Sequence, residues 1–231
     1  MKNKLNIVIT GGNRGIGYGL LNILSRNHNV IITVRDEEKG KKAIADFSAG
    51  DNQIDYVVMD VDDSNSVTRG SKTISQIFNN IDLLFNNAGI LLKEYDTPTL
   101  DTSEESILKT FNTNTLGVIR VCKAIVPLMQ EGGRIINISS GMGQLDKMES
   151  GSTAYRLSKT SLNAVTKILS NELLNSGIKV NTICPGWVKT DMGGENASLT
   201  VKDSTNQIVT FALKDDFPSG KFLRHGEEIP W

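Results

Sequence analysis

The chain has 231 residues, a formal net charge of −1, 39% hydrophobic residues and 22% charged residues. This length predicts one sizeable domain, and the lack of a basic stripe argues against nucleic acid or an anionic membrane surface as a partner. No apolar run reaches the length of a membrane span, so we expect a cytoplasmic protein.

Short apolar, β-branched runs alternate along the chain with segments of helical periodicity. The predicted strands are 5–10, 30–34, 54–59, 81–85, 133–138, 180–184 and a weak last strand at 221–224. The predicted helices are 16–27, 37–47, 64–77, 103–129, 153–175 and 200–213, with Asp36 and Ser64 as N-caps and Gly177 as a C-terminal stop. This alternation predicts an α/β protein, a single doubly wound domain over 1–231 with a mostly parallel seven-stranded sheet and helices on both faces.

A glycine-rich loop follows the first predicted strand, with Gly11, Gly15 and Gly17 in a G-x-x-x-G-x-G pattern. Such glycines let the backbone turn tightly and approach a pyrophosphate, which lies on the N-terminus of the next helix. An ordinary strand–helix turn is the alternative interpretation.

Two arginines accompany this loop. Arg14 lies within it, and Arg35 directly follows the second strand, about 20 residues after the glycines, where the cofactor ribose is read. Two guanidinium groups suit a 2′-phosphate, which favours NADP over NAD. Asp36 is the residue that complicates this choice, but as a helix cap it would point at the helix amides rather than at the ribose.

Tyr155 and Lys159 lie four residues apart in a predicted helix, so their side chains lie on one face. An ammonium there would lower the tyrosine pKa from its ordinary value of about 10 and make the phenol a usable general acid or base. An isolated pair of this kind is more typical of an ordinary amphipathic helix, with the tyrosine at its interface and the lysine in solvent, so the interpretation depends on the partners that the rest of the chain supplies.

The remaining reactive residue types favour no other chemistry. Cys122 and Cys184 lie far apart without C-x-x-C spacing, which is typical of buried thiols in a reducing compartment. His28 and His225 have no second ligand nearby in the sequence, which argues against a metal site or a histidine-based triad.

Several motifs occur in one order along nearly the whole chain: TGGNRGIG at 10–17, NNAG at 86–89, Asn114, a serine pair before Y-x-x-x-K, and Pro185-Gly186. Together they resemble the short-chain dehydrogenase/reductase family. Finer features resemble its carbonyl reductase branch, namely GGNRGIG, TVRD at 33–36, LLFNNAG at 83–89, PGWV at 185–188, TDM at 190–192 and the ending IPW at 229–231.

The resemblance implies a Rossmann-like fold and a catalytic set of Asn114, Ser140, Tyr155 and Lys159. Ser140 would hydrogen-bond the substrate carbonyl oxygen and Tyr155 would donate the proton. Lys159 would hold the nicotinamide ribose and lower the tyrosine pKa. Asn114 would position a water in a proton relay to solvent.

The resemblance also implies a cofactor site and a substrate pocket. The residues that would contact NADP(H) are Gly11, Asn13, Arg14, Gly15, Ile16, Gly17, Arg35, Asp60, Val61, Asn87, Ala88, Gly89, Tyr155, Lys159, Pro185, Gly186, Val188 and Thr190. Asp60 would meet the adenine amino group. The residues that would line the substrate pocket are Met142, Gln144, Trp187 and Met192, although Trp187 fits a core position almost as well. The polar loop 192–199 would form a mobile cover.

The implied activity is NADPH-dependent reduction of a ketone or aldehyde to an alcohol. Two alternatives remain at this point: an NAD(P)-dependent alcohol or steroid dehydrogenase working in the oxidative direction, and a non-catalytic NADP-sensing protein. Ser140 and Tyr155 are only fifteen residues apart, so the long insertion of monomeric carbonyl reductases is absent. We therefore expect helices 103–129 and 153–175 to form a homodimer or homotetramer interface.

Overall fold

The structure is a computed structural model, and it describes residues 4–47 and 52–231. Its strands are β1 Asn6–Thr10, β2 Asn29–Val34, β3 Ile54–Val58, β4 Ile81–Asn86, β5 Met129–Ile138, β6 Lys179–Cys184, β7 Phe222–Arg224 and β8 Glu227–Glu228. Its α-helices are α1 Gly15–Leu24, α2 Glu37–Ile44, α3 Ser64–Ile77, α4 Glu104–Phe111, α5 Gly117–Ile125, α6 Thr153–Glu172 and α7 Val201–Ala212.

The strands form one sheet in the order β3-β2-β1-β4-β5-β6-β7-β8. Every neighbouring pair is parallel except β7 and β8. The chain winds outward from β1 to β3 and then crosses back to β4, so the strand order reverses between β1 and β4. In open α/β sheets the crevice at such a reversal, outside the carboxyl ends of the strands, is where ligands bind.

Apolar residues cover both faces of the sheet, because successive strand residues point to opposite sides. Ile7 and Ile9 of β1 pack with α1, α2 and α7, whereas Val8 packs with α3, α5 and α6. The predicted doubly wound α/β fold is therefore confirmed. No helix in the described ranges is long and apolar enough to cross a membrane.

The long helix predicted over 103–129 is interrupted. A π-helical turn, Asn112–Leu116, separates α4 from α5, and a 3₁₀ turn, Val126–Leu128, follows α5. Pro127 lacks the amide that would continue the α-helix, so the helix ends there. Residue Met129 begins β5, four residues before the predicted start, at a register shift in which Ile81 pairs with Met129 but Leu83 with Arg134.

The sheet has one strand more than predicted. The chain turns back after β7 through His225 and Gly226, whose φ angles are 53° and 83°, and forms β8. Two consecutive residues at positive φ are the geometry of a tight hairpin turn. The sequence His-Gly is a weak signal for such a turn, because asparagine or aspartate usually precedes the glycine.

Other element ends differ from the prediction by a few residues. Helix α1 ends at Leu24, α2 at Ile44 and α6 at Glu172, and the N-cap of α3 is Asp63, not Ser64, because the Asp63 carboxylate accepts from the Asn65 amide at 2.8 Å. Asp36 caps α2 as predicted, accepting from the Lys39 amide at 3.1 Å.

Candidate active site

A cavity of about 990 Å³ opens at the carboxyl edge of the sheet. The loops after β1, β2, β3, β4, β5 and β6 all contribute to its wall. The predicted site residues that line it are Gly11, Asn13, Arg14, Gly15, Ile16, Arg35, Asp60, Val61, Asn87, Ala88, Gly89, Ser140, Met142, Tyr155, Lys159, Pro185, Gly186, Trp187, Val188, Thr190 and Met192. Three predicted site residues, Gly17, Asn114 and Gln144, lie behind this wall instead.

The glycine loop between β1 and α1 has the backbone conformation that its sequence predicts. Gly11 and Gly15 have φ angles of 67° and 54°, in the left-handed region that favours glycine. A β-carbon on Gly17 would lie 2.4 Å from the Gly11 carbonyl oxygen and 2.6 Å from the Asn87 amide nitrogen. Gly17 therefore serves the close packing of the loop on α1 and does not itself face the cavity.

Asn87 ties this loop to the end of β4. Its side-chain nitrogen donates to the carbonyl oxygens of Thr10 and Gly11, at 2.9 and 3.1 Å. In return the Thr10 hydroxyl accepts from the backbone amides of Asn87 and Ala88, at 2.9 and 3.0 Å. These bonds fix the loop directly above the point where the strand order reverses.

The two arginines Arg14 and Arg35 both line the cavity. Arg35 is exposed at the end of β2, and Arg14 pairs with Asp191 through a 2.7 Å contact between Nη1 and Oδ2. Both side chains of this pair are largely exposed, so the pair contributes at most about 1 kcal/mol to stability. Its effect is to connect the glycine loop with the segment after β6.

The wall after β3 carries carboxylates. Asp60 Oδ1 accepts from the Asp62 amide at 3.1 Å, which closes the turn, while Asp62 Oδ2 accepts from the Thr113 hydroxyl at 3.0 Å. Within the described part of the chain, the other Asp62 oxygen and the Thr33 hydroxyl at the end of β2 are buried without a hydrogen-bond partner. Both residues line the cavity, so polar groups of a bound molecule have partners at this end.

Tyr155 and Lys159 come from the first turns of α6, and Ser140 from the end of β5. The Lys159 ammonium lies 5.6 Å from the centre of the Tyr155 ring and donates to the Ile138 carbonyl oxygen at 2.8 Å. Ser140 Oγ accepts from the Met142 amide at 3.1 Å, and its hydroxyl lies close enough to the tyrosine phenol to lower the pKa of that phenol. A hydroxyl, a phenol and an ammonium thus converge on one part of the cavity.

The expected lowering of the tyrosine pKa is wrong. Burial raises the pKa of Tyr155 to about 12, and the hydrogen bond from Ser140 opposes this rise only in part. Burial also lowers the pKa of Lys159 to about 8. The i,i+4 spacing predicted the proximity of the two groups, but removal of both from water outweighs their attraction.

Asn114 lies in the π-helical turn and is fully buried. Its side chain pairs with the backbone of Ile90: Oδ1 accepts from the Ile90 amide at 2.8 Å, and Nδ2 donates to the Ile90 carbonyl at 2.9 Å. Nδ2 also donates to the Ser158 hydroxyl at 3.0 Å. Asn114 therefore holds the loop after β4 against α6, next to Lys159 but outside the cavity wall.

Three of the predicted substrate-pocket residues lie at the cavity, and one does not. Trp187 is 56% exposed and donates from Nε1 to the Gly193 carbonyl at 2.8 Å, which rules out the alternative of a core position. Met192 and Met142 lie with it in the wall. Gln144 is only 1% exposed and donates to the Pro230 carbonyl at 2.9 Å, so its prediction as a substrate contact is wrong.

The loop 192–199, predicted to cover the site, is held at its base by backbone hydrogen bonds. Leu199 pairs with the backbone on both sides of Val188: its amide donates to the Trp187 carbonyl at 2.9 Å, and its carbonyl accepts from the Lys189 amide at 2.8 Å. Residues 192–196 lie in the cavity wall between these ties. The loop is thus anchored at its base while its tip borders the site.

The loop after β4 contributes a part of the cavity wall that was not predicted from the sequence. Ile90, Leu91, Lys93 and Tyr95 all line the cavity. The available signal was their position directly after the NNAG motif at the carboxyl end of a strand, where binding residues collect in this kind of sheet.

Comparisons with known proteins identify the family of the chain and solved structures of the same fold. The family model described as short chain dehydrogenase matches residues 5–199. Carbonyl reductase (NADPH) 1 of Bos taurus is 27% identical, over 97% of each chain. The solved structure of the carbonyl reductase Sniffer of D. melanogaster has a TM-score of 0.90 and 32% identity, covering 99% of this chain and 100% of that one. The NADPH-bound carbonyl reductase from chicken fatty liver has a TM-score of 0.87 and 27% identity, with the same coverage.

Proposed function

We propose that this chain, which belongs to the short chain dehydrogenase family, reduces the carbonyl group of a ketone or aldehyde to an alcohol, with NADPH as the hydride donor. The observation that carries the proposal is the convergence of Ser140, Tyr155 and Lys159 in a cavity that the glycine loop also lines. The relatives named carbonyl reductase, two of which carry NADPH in their names, support both the substrate class and the cofactor.

The residues of the cavity fit NADPH along its length. Gly11 and Gly15, at positive φ, let the backbone come close to a pyrophosphate at the N-terminus of α1. Arg14 and Arg35 would bind the 2′-phosphate, and the unpaired oxygen of Asp62 would accept from a donor at the adenine end. When bound, NADPH supplies the hydride that reaches the carbonyl carbon.

The chain's own residues then act on the carbonyl oxygen. Ser140 donates a hydrogen bond to that oxygen as negative charge develops, and Tyr155 gives it a proton. Lys159 stabilises the resulting phenolate electrostatically and would hydrogen-bond the ribose of the bound cofactor. Asn114 keeps the loop after β4 in place at the side of this site.

The tyrosine is in the form that carbonyl reduction needs. Burial raises the pKa of Tyr155 to about 12, so the phenol keeps its proton in the neutral range, as a proton donor must. The same groups would serve alcohol oxidation in reverse, so the preference for reduction rests on the relatives named carbonyl reductase. A purely NADP-sensing role is disfavoured because the serine, tyrosine and lysine are all present and adjacent.

The test is NADPH consumption, followed by its absorbance, with a panel of aromatic aldehydes, quinones and α-diketones. We expect turnover with NADPH to exceed that with NADH, and Tyr155→Phe to lower kcat by about 100-fold or more, because a general acid is lost. Tyr18→Phe, in α1 and away from the cavity, is the matched control and should keep full activity. Full activity in Tyr155→Phe, or no turnover of any carbonyl by the unaltered protein, would contradict the proposal.

We further propose that residues 1–231 act as one cytoplasmic reductase domain that forms a homodimer or homotetramer through α4, α5 and α6. Exposed apolar side chains on these helices support the interface: Leu108, Leu116, Ile119, Leu157 and Ile168 are between 37% and 67% exposed. Exposed apolar groups in one region are typical of a surface that is covered in an assembly.

A further inference from the structure

Gln144 has a buried side-chain amide that takes no part in the proposed chemistry. It lies at the other end of the short turn that begins at Ser140, which does take part. It closes the 3₁₀ turn Gly141–Gly143, which Ser140 begins: the Gln144 amide donates to the Gly141 carbonyl at 3.1 Å, and the Gly143 amide to the Ser140 carbonyl at 3.0 Å. Its side chain points away from the cavity. The position of Ser140 therefore depends on how this turn is held.

One side of the turn packs against α6. The Gly143 carbonyl accepts from the Thr160 hydroxyl and from the Asn163 side chain, each at 3.1 Å. A β-carbon on Gly143 would lie 2.8 Å from the backbone carbon of Lys159, so the turn touches the helix at the residue beside the phenol. This side places the turn relative to Tyr155 and Lys159.

The other side of the turn is held by the last part of the chain. The Gln144 side chain donates to the Pro230 carbonyl at 2.9 Å and accepts from Arg224 at 3.5 Å. The Leu145 amide donates to the Trp231 carbonyl at 3.2 Å. Trp231 in turn packs its ring 5.7 Å from that of Phe222 in β7.

Arg224 also supports the serine turn through a shared partner, the sulfur of Cys184. It donates from Nε to the sulfur of Cys184 at 3.2 Å, and the Gly141 amide donates to the same sulfur at 3.1 Å. A β-carbon on Gly141 would collide with the Arg224 guanidinium, so the turn lies directly against it. The turn is thus enclosed between α6 on one side and Arg224 with residues 230–231 on the other.

We propose that Gln144 is a positioning residue, which couples the β7–β8 hairpin and the segment 229–231 to the Ser140 hydroxyl. This inference rests on the proposed function, because it assigns to Gln144 the task of aligning Ser140 with the carbonyl oxygen. The Gln144 side chain is suited to this task because it is buried and its nitrogen and oxygen are both hydrogen-bonded. One bond joins the serine turn to Pro230 in segment 229–231, and the other joins it to Arg224 in β7. Small displacements of an oxyanion donor lower the rate of the chemical step more than they weaken binding.

The test measures the effect of Gln144→Leu in the unaltered protein and in a Ser140→Ala variant. Leucine keeps the approximate size of the side chain but removes both of its hydrogen bonds. In the otherwise unaltered protein we expect kcat for carbonyl reduction to fall about tenfold, while the Kd of NADPH, measured by its fluorescence, stays within about twofold. In a Ser140→Ala background the same change should cause no further fall in kcat, because the group that it positions is already gone. If Gln144→Leu fails to fold, Trp231→Ala takes its place. It removes the ring that packs on Phe222 and so loosens segment 229–231, and we expect the same fall in kcat and the same dependence on Ser140.

Gln207→Leu is the matched control. Gln207 is the partner of His225 Nδ1, next to Arg224, but has no bond to the serine turn, so its loss should leave kcat unchanged. An unaltered kcat in Gln144→Leu, or an equal fall in both backgrounds, overturns the inference while the proposed function stands. A lack of turnover by the unaltered protein overturns the proposed function itself, and the inference with it.

Discussion

Lys159 is buried in the wall of a cavity, where its ammonium has a backbone carbonyl and an aromatic ring for neighbours. Among residues 4–47 and 52–231, no carboxylate lies within ion-pair distance of it. Lysines are rarely buried without an anionic partner, because the charged form loses its hydration. The cost is reflected in its pKa, which burial lowers from 10.5 to about 8. Such a group reduces the stability of the fold at neutral pH, and the role that we propose for it next to Tyr155 accounts for its position.

This cost predicts a pH dependence of stability. Between the folded pKa of about 8 and the unfolded value of 10.5, the unfolded chain binds more protons, so Lys159 makes the fold more stable as the pH rises. In Lys159→Met this contribution is absent. The free energy of unfolding of the unaltered protein, relative to that of the variant, should therefore rise by about 2 kcal/mol between about pH 7 and pH 9.5.

Urea unfolding of both proteins at the two pH values measures this difference. Lys167→Met, on the same helix but exposed, is the control, and its stability relative to the unaltered protein should be the same at both values. A constant difference between Lys159→Met and the unaltered protein would show that burial does not penalise the charged lysine.

At the scale of elements, the β1–α1 unit is packed so closely that it tolerates little change. Gly17 is in contact with two groups that cannot move away, the Gly11 carbonyl and the side chain of Asn87, which is itself bonded to the loop backbone. The requirement for glycine here comes from close packing between loop and helix, while that at Gly11 and Gly15 comes from positive φ.

Gly17→Ala should therefore lower stability by about 1–3 kcal/mol, as overpacking of a well-packed site does, and should weaken NADPH binding because the loop is displaced. Thermal unfolding and fluorescence titration with NADPH measure the two effects. Asn22→Ala, on an exposed position of the same helix, is the comparison and should unfold at the same temperature or slightly above, since alanine favours helix. A Gly17→Ala protein with unchanged stability and affinity would refute the packing argument.

The features that the sequence predicted correctly depend on contacts that are close along the chain. The glycine loop follows its strand directly, and Tyr155 and Lys159 share one turn of α6, so local spacing was sufficient to bring them together. Several of the features that it missed depend on distant partners. Gln144 was placed in the pocket because nothing in its neighbourhood indicates a bond to Pro230, eighty-six positions away. The interruption at Asn114 likewise accompanies its pairing with Ile90, and the raised tyrosine pKa follows from burial, which spacing does not encode.

At the scale of the whole molecule, the cavity lies at the carboxyl edge of the sheet, and α5 and α6 lie on one of its faces. These two helices and α4 carry exposed apolar residues that we assign to an interface between copies. Leu157 belongs to α6, two residues after Tyr155, so that interface would reach close to the catalytic phenol.

The proposed interface predicts the effect of a charge placed within it. The unaltered protein should sediment as a dimer or tetramer in analytical ultracentrifugation, and Ile168→Glu should shift it to monomer, because a buried carboxylate without a partner is costly. Val58→Glu, on the exposed side of the edge strand β3, should leave the assembly unchanged. If the unaltered protein is a monomer at micromolar concentration, the proposed interface is wrong.

Both cysteines of the chain, Cys122 and Cys184, are buried, at 2% and 4% exposure. The surface of the folded protein therefore offers no reactive thiol to a maleimide under native conditions. A cysteine introduced at the exposed Gln130, near the start of β5, would be the single accessible one, at the edge of the sheet opposite the cavity. The fold thus provides an attachment point for a dye or a solid support that leaves the opening of the cavity directed toward solution.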